Sequence, residues 1–133
     1  MTSKLAGAIT GQSSIKSTNA TAGIGYGAGA GGTVAQATSK ATGVTLSKVS
    51  GQITMDAANL AANAIVSFTL TNTAIAAADI LVMNHASGGT VGAYAFNAQC
   101  GAGSAVINVT NLTAGALAES VVIGFVLFKG ITS

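Results

Sequence analysis

The sequence has no proline, no tryptophan and no arginine, and it contains one cysteine. The single Cys100 cannot form a disulfide within the chain, which excludes a disulfide-stapled secreted scaffold. Its position in an apolar, strand-like run favours a small buried hydrophobic side chain. Without arginine the chain lacks bidentate donors for phosphate or guanine, and its lysines are scattered, so nucleic acid is not expected as a partner.

Charge is scarce along the whole chain. Charged residues make up 6% of the 133 residues, against about 25% in an average soluble protein. Free monomers usually keep their copies apart with surface charge. The low charge therefore indicates that much of the surface meets other subunits, in a homodimer, a homotrimer or a larger lattice. The alternative is a small domain with a polar, uncharged surface.

Long hydrophobic runs are also missing. The longest apolar run, Val121–Phe128, is well short of the roughly 20 residues that a membrane helix needs. The first twenty residues, MTSKLAGAITGQSSIKSTNA, lack the apolar stretch of a signal peptide. We therefore expect synthesis in the cytoplasm and no membrane partner.

Glycine, by contrast, is abundant near the N-terminus. Residues 27–32, GAGAGG, fit the string GxGxxG, but a dinucleotide site needs a hydrophobic strand before it and a helix after it. Neither flank has such a pattern, so this stretch is interpreted as a linker and no cofactor is predicted. Residues 1–32 are rich in Gly, Ser and Thr and are predicted to form a flexible N-terminal arm. Residues 33–133 are predicted to form one β-sandwich domain.

Alternation with a period of two dominates that domain. Val66, Phe68 and Leu70 lie on one side of the stretch IVSFTLTN, and Tyr94 and Phe96 share one side of another strand. DILVMNH is apolar on both sides and is predicted to be a central strand. SVVIGFVLFKG is also apolar on both sides and is predicted to be buried on both, either by a second sheet or by another subunit. About eight short strands predict an all-β, antiparallel β-sandwich, with a jelly roll as first choice.

An internal echo accompanies this pattern. Leu60-Ala61 precedes Val66-Ser67-Phe68, and Leu117-Ala118 precedes Ile123-Gly124-Phe125 at the same spacing. The echo indicates two strands entered by similar turns, although chance similarity between apolar strands explains it equally well.

The residues that could carry chemistry are few. The three acids, Asp56, Asp79 and Glu119, fall at predicted strand ends, where acids usually form turns rather than the carboxylate pair of a hydrolase. His85, Ser87 and Asp79 could be assembled into a triad on paper, but the chain has no nucleophile elbow. His85 is interpreted as a strand-end histidine hydrogen-bonded to a loop. One histidine and one cysteine cannot fill a zinc site. We predict no catalytic, cofactor-binding or metal-binding residues and no enzymatic activity.

The stretch GGTVAQATSKATGVTLSKVSGQITM, followed by LAANAIVSFTLTNTAIAAADILVMNHASGGTVGAYAFNAQ, resembles the capsid cement, or decoration, proteins of tailed bacteriophages. The resemblance covers roughly residues 31–130 and rests on overall pattern, so it assigns no role to an individual residue. It implies a small β-sandwich or jelly-roll subunit that sits as an oligomer on the outside of the phage head and stabilises contacts between major capsid protein subunits. The expected location is then the capsid surface of the virion, after synthesis in the host bacterial cytoplasm.

Two alternatives remain open at this point. The first is an adhesive module of a tail or head fibre, in which exposed loops such as Ala86–Gly92 and Gly101–Ser104 would touch a glycan on the host surface. The second, more remote, is a hydrolase, for which the sequence offers no nucleophile or acid pair.

Overall fold

The computed structural model describes residues 10–11 and 14–133. Over those residues the chain forms eight β-strands and no helix, so none of them forms a helix that could cross a membrane. The strands are β1 (Gly31–Ala35), β2 (Val44–Thr45), β3 (Ser50–Thr54), β4 (Ile65–Thr71), β5 (Ile80–Ser87), β6 (Tyr94–Gly101), β7 (Ser104–Asn111) and β8 (Val122–Phe128). The all-β class predicted from the alternating sequence is confirmed.

The strands make two four-stranded sheets. The first sheet has the order β1-β3-β8-β5, and the second has the order β2-β4-β7-β6. Each sheet buries alternate residues, such as Ile123, Phe125 and Leu127 of β8 and Ile107 and Val109 of β7. These inward side chains form one hydrophobic core, whose removal from water is the main stabilising contribution to a β-sandwich-like fold.

The predicted faces of individual strands agree with this core. Phe68 and Leu70 are buried on β4, with Val66 half-buried on the same side. Tyr94 is buried on β6, and Phe96 packs against the core beside it. Period-two alternation therefore located the inner side of each of these strands correctly, because successive side chains of a strand point to opposite faces.

The prediction of antiparallel strands throughout is wrong for two pairs. β1 pairs with β3, and β2 pairs with β4, in parallel, while the other pairs are antiparallel. A parallel pair needs a crossover connection of a dozen or more residues. Residues 36–49 make that connection for β1 and β3, and they contain β2 of the other sheet. The chain thus alternates between sheets from β1 to β4.

The prediction that DILVMNH forms a central strand is also wrong. It forms β5, which lies at the edge of the first sheet, and β8 takes the inner position beside it. Ile80 and Val82, on the outward side of β5, are exposed, and so is Phe128 at the end of β8. Apolar residues on both sides usually indicate a strand covered on both sides. Here the outward side is open in the single chain.

The echoed turns meet in the structure. The Leu60 amide donates to the Leu117 carbonyl at 2.8 Å, and the Leu117 amide donates to the Leu60 carbonyl at 3.0 Å. The phenylalanines that follow, Phe68 and Phe125, are both buried in the core. The two similar stretches therefore enter the two sheets side by side.

The first strand begins at Gly31, inside the segment 1–32 that was predicted as an arm. Residues 14–30 form no strand or helix, and residues 14–29 are exposed. The remaining parts of the predicted arm, residues 1–9 and 12–13, lie outside the described residues. The GxGxxG string, residues 27–32, runs into β1 at Gly31, whereas a dinucleotide site needs a helix at that point.

Candidate interaction surface

The outward side of the first sheet carries no charged side chain. We call it the outer face of the first sheet, and its residues are Gly31, Thr33 and Ala35 of β1, Ser50, Gln52 and Thr54 of β3, Ile80, Val82 and Asn84 of β5, and Val122, Gly124, Val126 and Phe128 of β8. Ile80 and Phe128 lie opposite each other in register, and each is 62% exposed. Val82 beside them is 46% exposed. Exposed apolar patches of this kind mark interaction sites.

Gly124 creates a hollow at the middle of this face. The hollow is shallow, with a volume of about 540 Å³, and Val82 and Val126 form its apolar wall while Gln52 and Asn84 supply amides. A Cβ atom added at Gly124 would lie 2.6 Å from Asn84 Oδ1, so a larger residue here would displace the Asn84 side chain. Apolar walls with a few amide groups suit an extended peptide segment, whose side chains and backbone can both be accommodated.

The N-terminal segment lies at one end of the same face. The Tyr26 hydroxyl donates a hydrogen bond to the Leu127 carbonyl. Ile24 and Tyr26 line a second hollow, of about 260 Å³, together with Val126 and Phe128. Since Val126 borders both hollows, the surface is continuous from the N-terminal segment to Gly124.

The outward side of the second sheet is polar by comparison. Ser67 donates to Asn108 at 2.6 Å, and the Asn108 side-chain amide donates to Asn97 at 2.6 Å. The three residues lie in register on β4, β7 and β6, so the hydrogen bonds run across the sheet. This side already satisfies much of its own polarity and is wetted by water, which makes the first sheet the better candidate for a protein interface.

The three acids lie in three different segments between strands. Asp56 Oδ1 accepts the Ala58 amide at 2.7 Å, and Asp79 forms an ion pair with Lys129. The hydrogen bond from Lys129 lowers the pKa of Asp79. Their hydrogen-bond partners are those of turn and loop residues, as the sequence position of each acid indicated.

The Glu119 carboxylate binds the loop between β5 and β6. Its carboxylate accepts the Thr90 amide at 2.6 Å and the Tyr94 hydroxyl at 2.9 Å. The bond from the Thr90 amide lowers the pKa of Glu119, whereas burial raises the pKa of Tyr94. The acid thus connects a loop, a strand and the segment before β8.

His85 is hydrogen-bonded through Nε2 to the Gly88 carbonyl, which confirms the predicted strand-end histidine bound to a loop. Its ring lies edge-on to Tyr94 and Phe96, with centroids 6.1 Å away in each case. Asp79 is bound to Lys129 rather than to this histidine. The combination of His85, Ser87 and Asp79, which the sequence analysis considered and set aside, is therefore not joined by hydrogen bonds as a triad would be.

Cys100 is half-buried rather than fully buried, and it packs against the core. Burial raises the pKa of its thiol, and a protonated thiol is a poor nucleophile. Within the described ranges, no group of three His, Cys, Asp or Glu side chains is placed to hold a metal ion.

Sequence reasoning missed the role of Lys40. This lysine is only 3% exposed, and its Nζ donates to the backbone carbonyls of Asp56 and of Glu119, the latter at 2.6 Å. Burial lowers its pKa. The lysine joins the loop after β1 to the segments after β3 and before β8. Nothing in the polar stretch ATSKATG around it indicates burial.

A scan against protein-family models found no match, and searches of curated proteins and of solved structures found no significant similarity to this chain.

Proposed function

We propose that the protein is a virion structural protein, a capsid cement or decoration protein that binds the outside of a phage head and stabilises contacts between major capsid protein subunits. The observation that carries the proposal is the uncharged outer face of the first sheet, which exposes Ile80, Val82 and Phe128 on a folded β-domain. A small rigid domain with an open apolar face is suited to holding other proteins together and needs no catalytic group.

The sequence resemblance to decoration proteins, over roughly residues 31–130, points to the same role. The resemblance implies a jelly roll, in which successive strands alternate between two sheets. Strands β1 to β6 alternate in this way here. The parallel pairs β1–β3 and β2–β4 depart from that pattern, so we propose only a relative of the jelly roll.

The mechanism is multivalent attachment. Each subunit contributes a moderate apolar contact, and several subunits linked in a homo-oligomer bind neighbouring shell proteins at once. Linked sites raise the overall avidity without any single dominant contact. Such a subunit reinforces the joint between two shell proteins because it must be released from both before they can separate.

The test is the copy number of this chain in purified particles of the phage that encodes it. Quantitative mass spectrometry against the major shell protein gives the ratio directly. A ratio near one, or a simple fraction of one, is the expected result for a protein that covers the whole lattice.

Other outcomes separate the alternatives. A few copies per particle would overturn the lattice role and favour a fibre module, whose exposed loop at Ala86–Gly92 would then be tested on host glycans. Absence from the particle would overturn both structural roles.

A further inference from the structure

We infer that the outer face of the first sheet is the docking surface for a second copy of this chain, and that residues 14–23 of that copy lie in the hollow above Gly124. The inference deepens the proposed function, on which it rests: the outer face links the subunits of the homo-oligomer, and that oligomer would form in solution without any capsid protein.

The chain itself shows that this face accepts its N-terminal segment. Ile24 and Tyr26 already lie against Val126 and Phe128, and the Tyr26 hydroxyl is bound to a carbonyl of β8. The hollow above Gly124 continues from this contact through Val126. The segment that precedes Ile24 therefore starts at the border of this face.

A second copy is the occupant because residues 14–23 do not cover the face of their own chain. All ten are exposed, including Ile15. The side-chain hydrogen bonds within the segment are local, from the Thr21 and Ala22 amides and the Thr21 hydroxyl to Asn19. Ten extended residues reach about 33 Å, which is longer than a seven-residue strand of about 23 Å. The segment can therefore extend past the edge of its own sheet to a neighbour.

The chemistry of the segment fits the surface. Residues 14–23, SIKSTNATAG, contain one large apolar side chain, that of Ile15, one lysine and no acid. The hollow offers amides from Gln52 and Asn84 and apolar walls from Val82 and Val126. Hydroxyl and amide groups of the segment can exchange hydrogen bonds with those amides, and Ile15 can enter the apolar part. Reciprocal exchange of segments closes a symmetric assembly.

The first test is the mass of the full chain and of two matched variants in solution, by sedimentation velocity. Ile80→Lys places a charge on the outer face of the first sheet, and Ile65→Lys places one on the outward side of the second sheet. Both isoleucines are the first residue of their strand and are similarly exposed, at 62% and 65%. The wild-type chain and Ile65→Lys are expected to be oligomers, and Ile80→Lys a folded monomer with an unchanged far-ultraviolet circular dichroism spectrum.

Val82→Lys repeats the test at the edge of the hollow, in case Ile80→Lys folds poorly. A wild-type chain that stays monomeric would overturn the inference. So would an assembly that Ile65→Lys dissociates and that Ile80→Lys and Val82→Lys leave intact. Neither outcome depends on capsid binding, so failure here is distinguishable from failure of the decoration role.

The second test asks whether the segment crosses between chains. In a Cys100→Ala background, Ser17→Cys and Asn84→Cys chains are mixed, oxidised and mapped by peptide mass spectrometry. A disulfide joining residues 17 and 84 of different chains is expected. Thr69→Cys, exposed on the second sheet, replaces Asn84→Cys in the control and should give no such product. Cross-linking that occurs only when Ser17→Cys and Asn84→Cys are in the same chain would overturn exchange between copies.

Discussion

At the scale of single residues, buried polar groups determine how the loops are held. Asn72 and Asn111 are fully buried, and the Asn111 side-chain amide donates to the carbonyls of Leu60, Ala61 and Gly115. None of the buried side-chain nitrogen or oxygen atoms in the described residues lacks a hydrogen-bond partner. Since a buried polar group without a partner costs about 1–3 kcal/mol, these residues fix the loops that connect the sheets.

Lys40→Met is expected to lower the free energy of unfolding by about 1–3 kcal/mol. Methionine keeps the packing of the stem and removes a desolvated charge, but it leaves the carbonyls of Asp56 and Glu119 without their donor. Urea denaturation measures the change. Lys16→Met, at an exposed position, is the control and should stay within about 0.5 kcal/mol. Equal stability of Lys40→Met and wild type would show that the two carbonyls are satisfied by water.

Low pH should weaken the attachment of Lys129 and Gly130 to the Asp79 carboxylate. Because the pKa of Asp79 is lowered in the folded chain, its contribution to stability is present above the unfolded value of about 3.9 and is lost as the pH falls through the folded value. Asp79→Asn should therefore be less stable than wild type at neutral pH. The difference between their free energies of unfolding should become smaller as the pH falls. Glu119, whose pKa is lowered too, leaves residual acid sensitivity in the variant.

Urea denaturation at a series of pH values measures that difference. Lys129→Met serves as the matched variant, because it removes the partner and keeps the carboxylate. Its stability should fall at neutral pH in the same direction as that of Asp79→Asn. A gap between wild type and Asp79→Asn that stays constant with pH would contradict the linkage.

At the scale of elements, β8 organises the first sheet. It pairs with β3 on one side and β5 on the other, buries Ile123, Phe125 and Leu127, and provides the Leu127 carbonyl that holds Tyr26. One strand thus serves the core with one side and the candidate interaction surface with the other. The sequence of a strand in this position has apolar residues on both sides.

Tyr26→Phe should loosen residues 24–30 without affecting the core. The substitution removes one hydroxyl hydrogen bond, worth about 0.5–1.5 kcal/mol, and retains the ring that lies against the sheet. Hydrogen–deuterium exchange should be faster in residues 24–30, while exchange in the core strands stays unchanged. The counterpart is Tyr94→Phe, which removes the bond to Glu119 and should affect the β5–β6 loop instead. Unaltered exchange in residues 24–30 would show that apolar contact alone holds the segment.

At the scale of the whole molecule, the shortage of charge shapes how the protein should associate. The outer face of the first sheet has no charged side chain, and the described residues contain one ion pair, between Lys129 and Asp79. Contacts made through that face depend on apolar burial rather than on charge attraction.

Association through this face should therefore resist salt. Between about 0.05 and 0.5 M sodium chloride, where charge screening increases strongly, the dissociation constant of the oligomer should change less than about threefold. Sedimentation equilibrium at both salt concentrations measures it. A tenfold or larger weakening with salt would indicate that the lysines carry the contact, and charge-neutral variants of Lys16 and Lys48 would then identify which.

Much of this architecture follows from the sequence alone. Period-two alternation is sufficient for the all-β class and for the buried sides of β4, β6 and β7, because an alternating strand can bury only one set of side chains. The low charge predicts that much of the surface meets other subunits, whereas the apolar residues on both sides of β5 led to the wrong prediction of a central strand.

Only the tertiary structure decided the rest. The parallel pairs, the edge position of β5 and the burial of Lys40 all depend on contacts between residues distant in the sequence, and local alternation carries no information on which strands become neighbours. The hollow above Gly124 and the Tyr26 contact with β8 likewise exist only once the sheet has formed. Local pattern determines which side of a strand is buried, whereas the pairing of distant strands determines which outward side is left open.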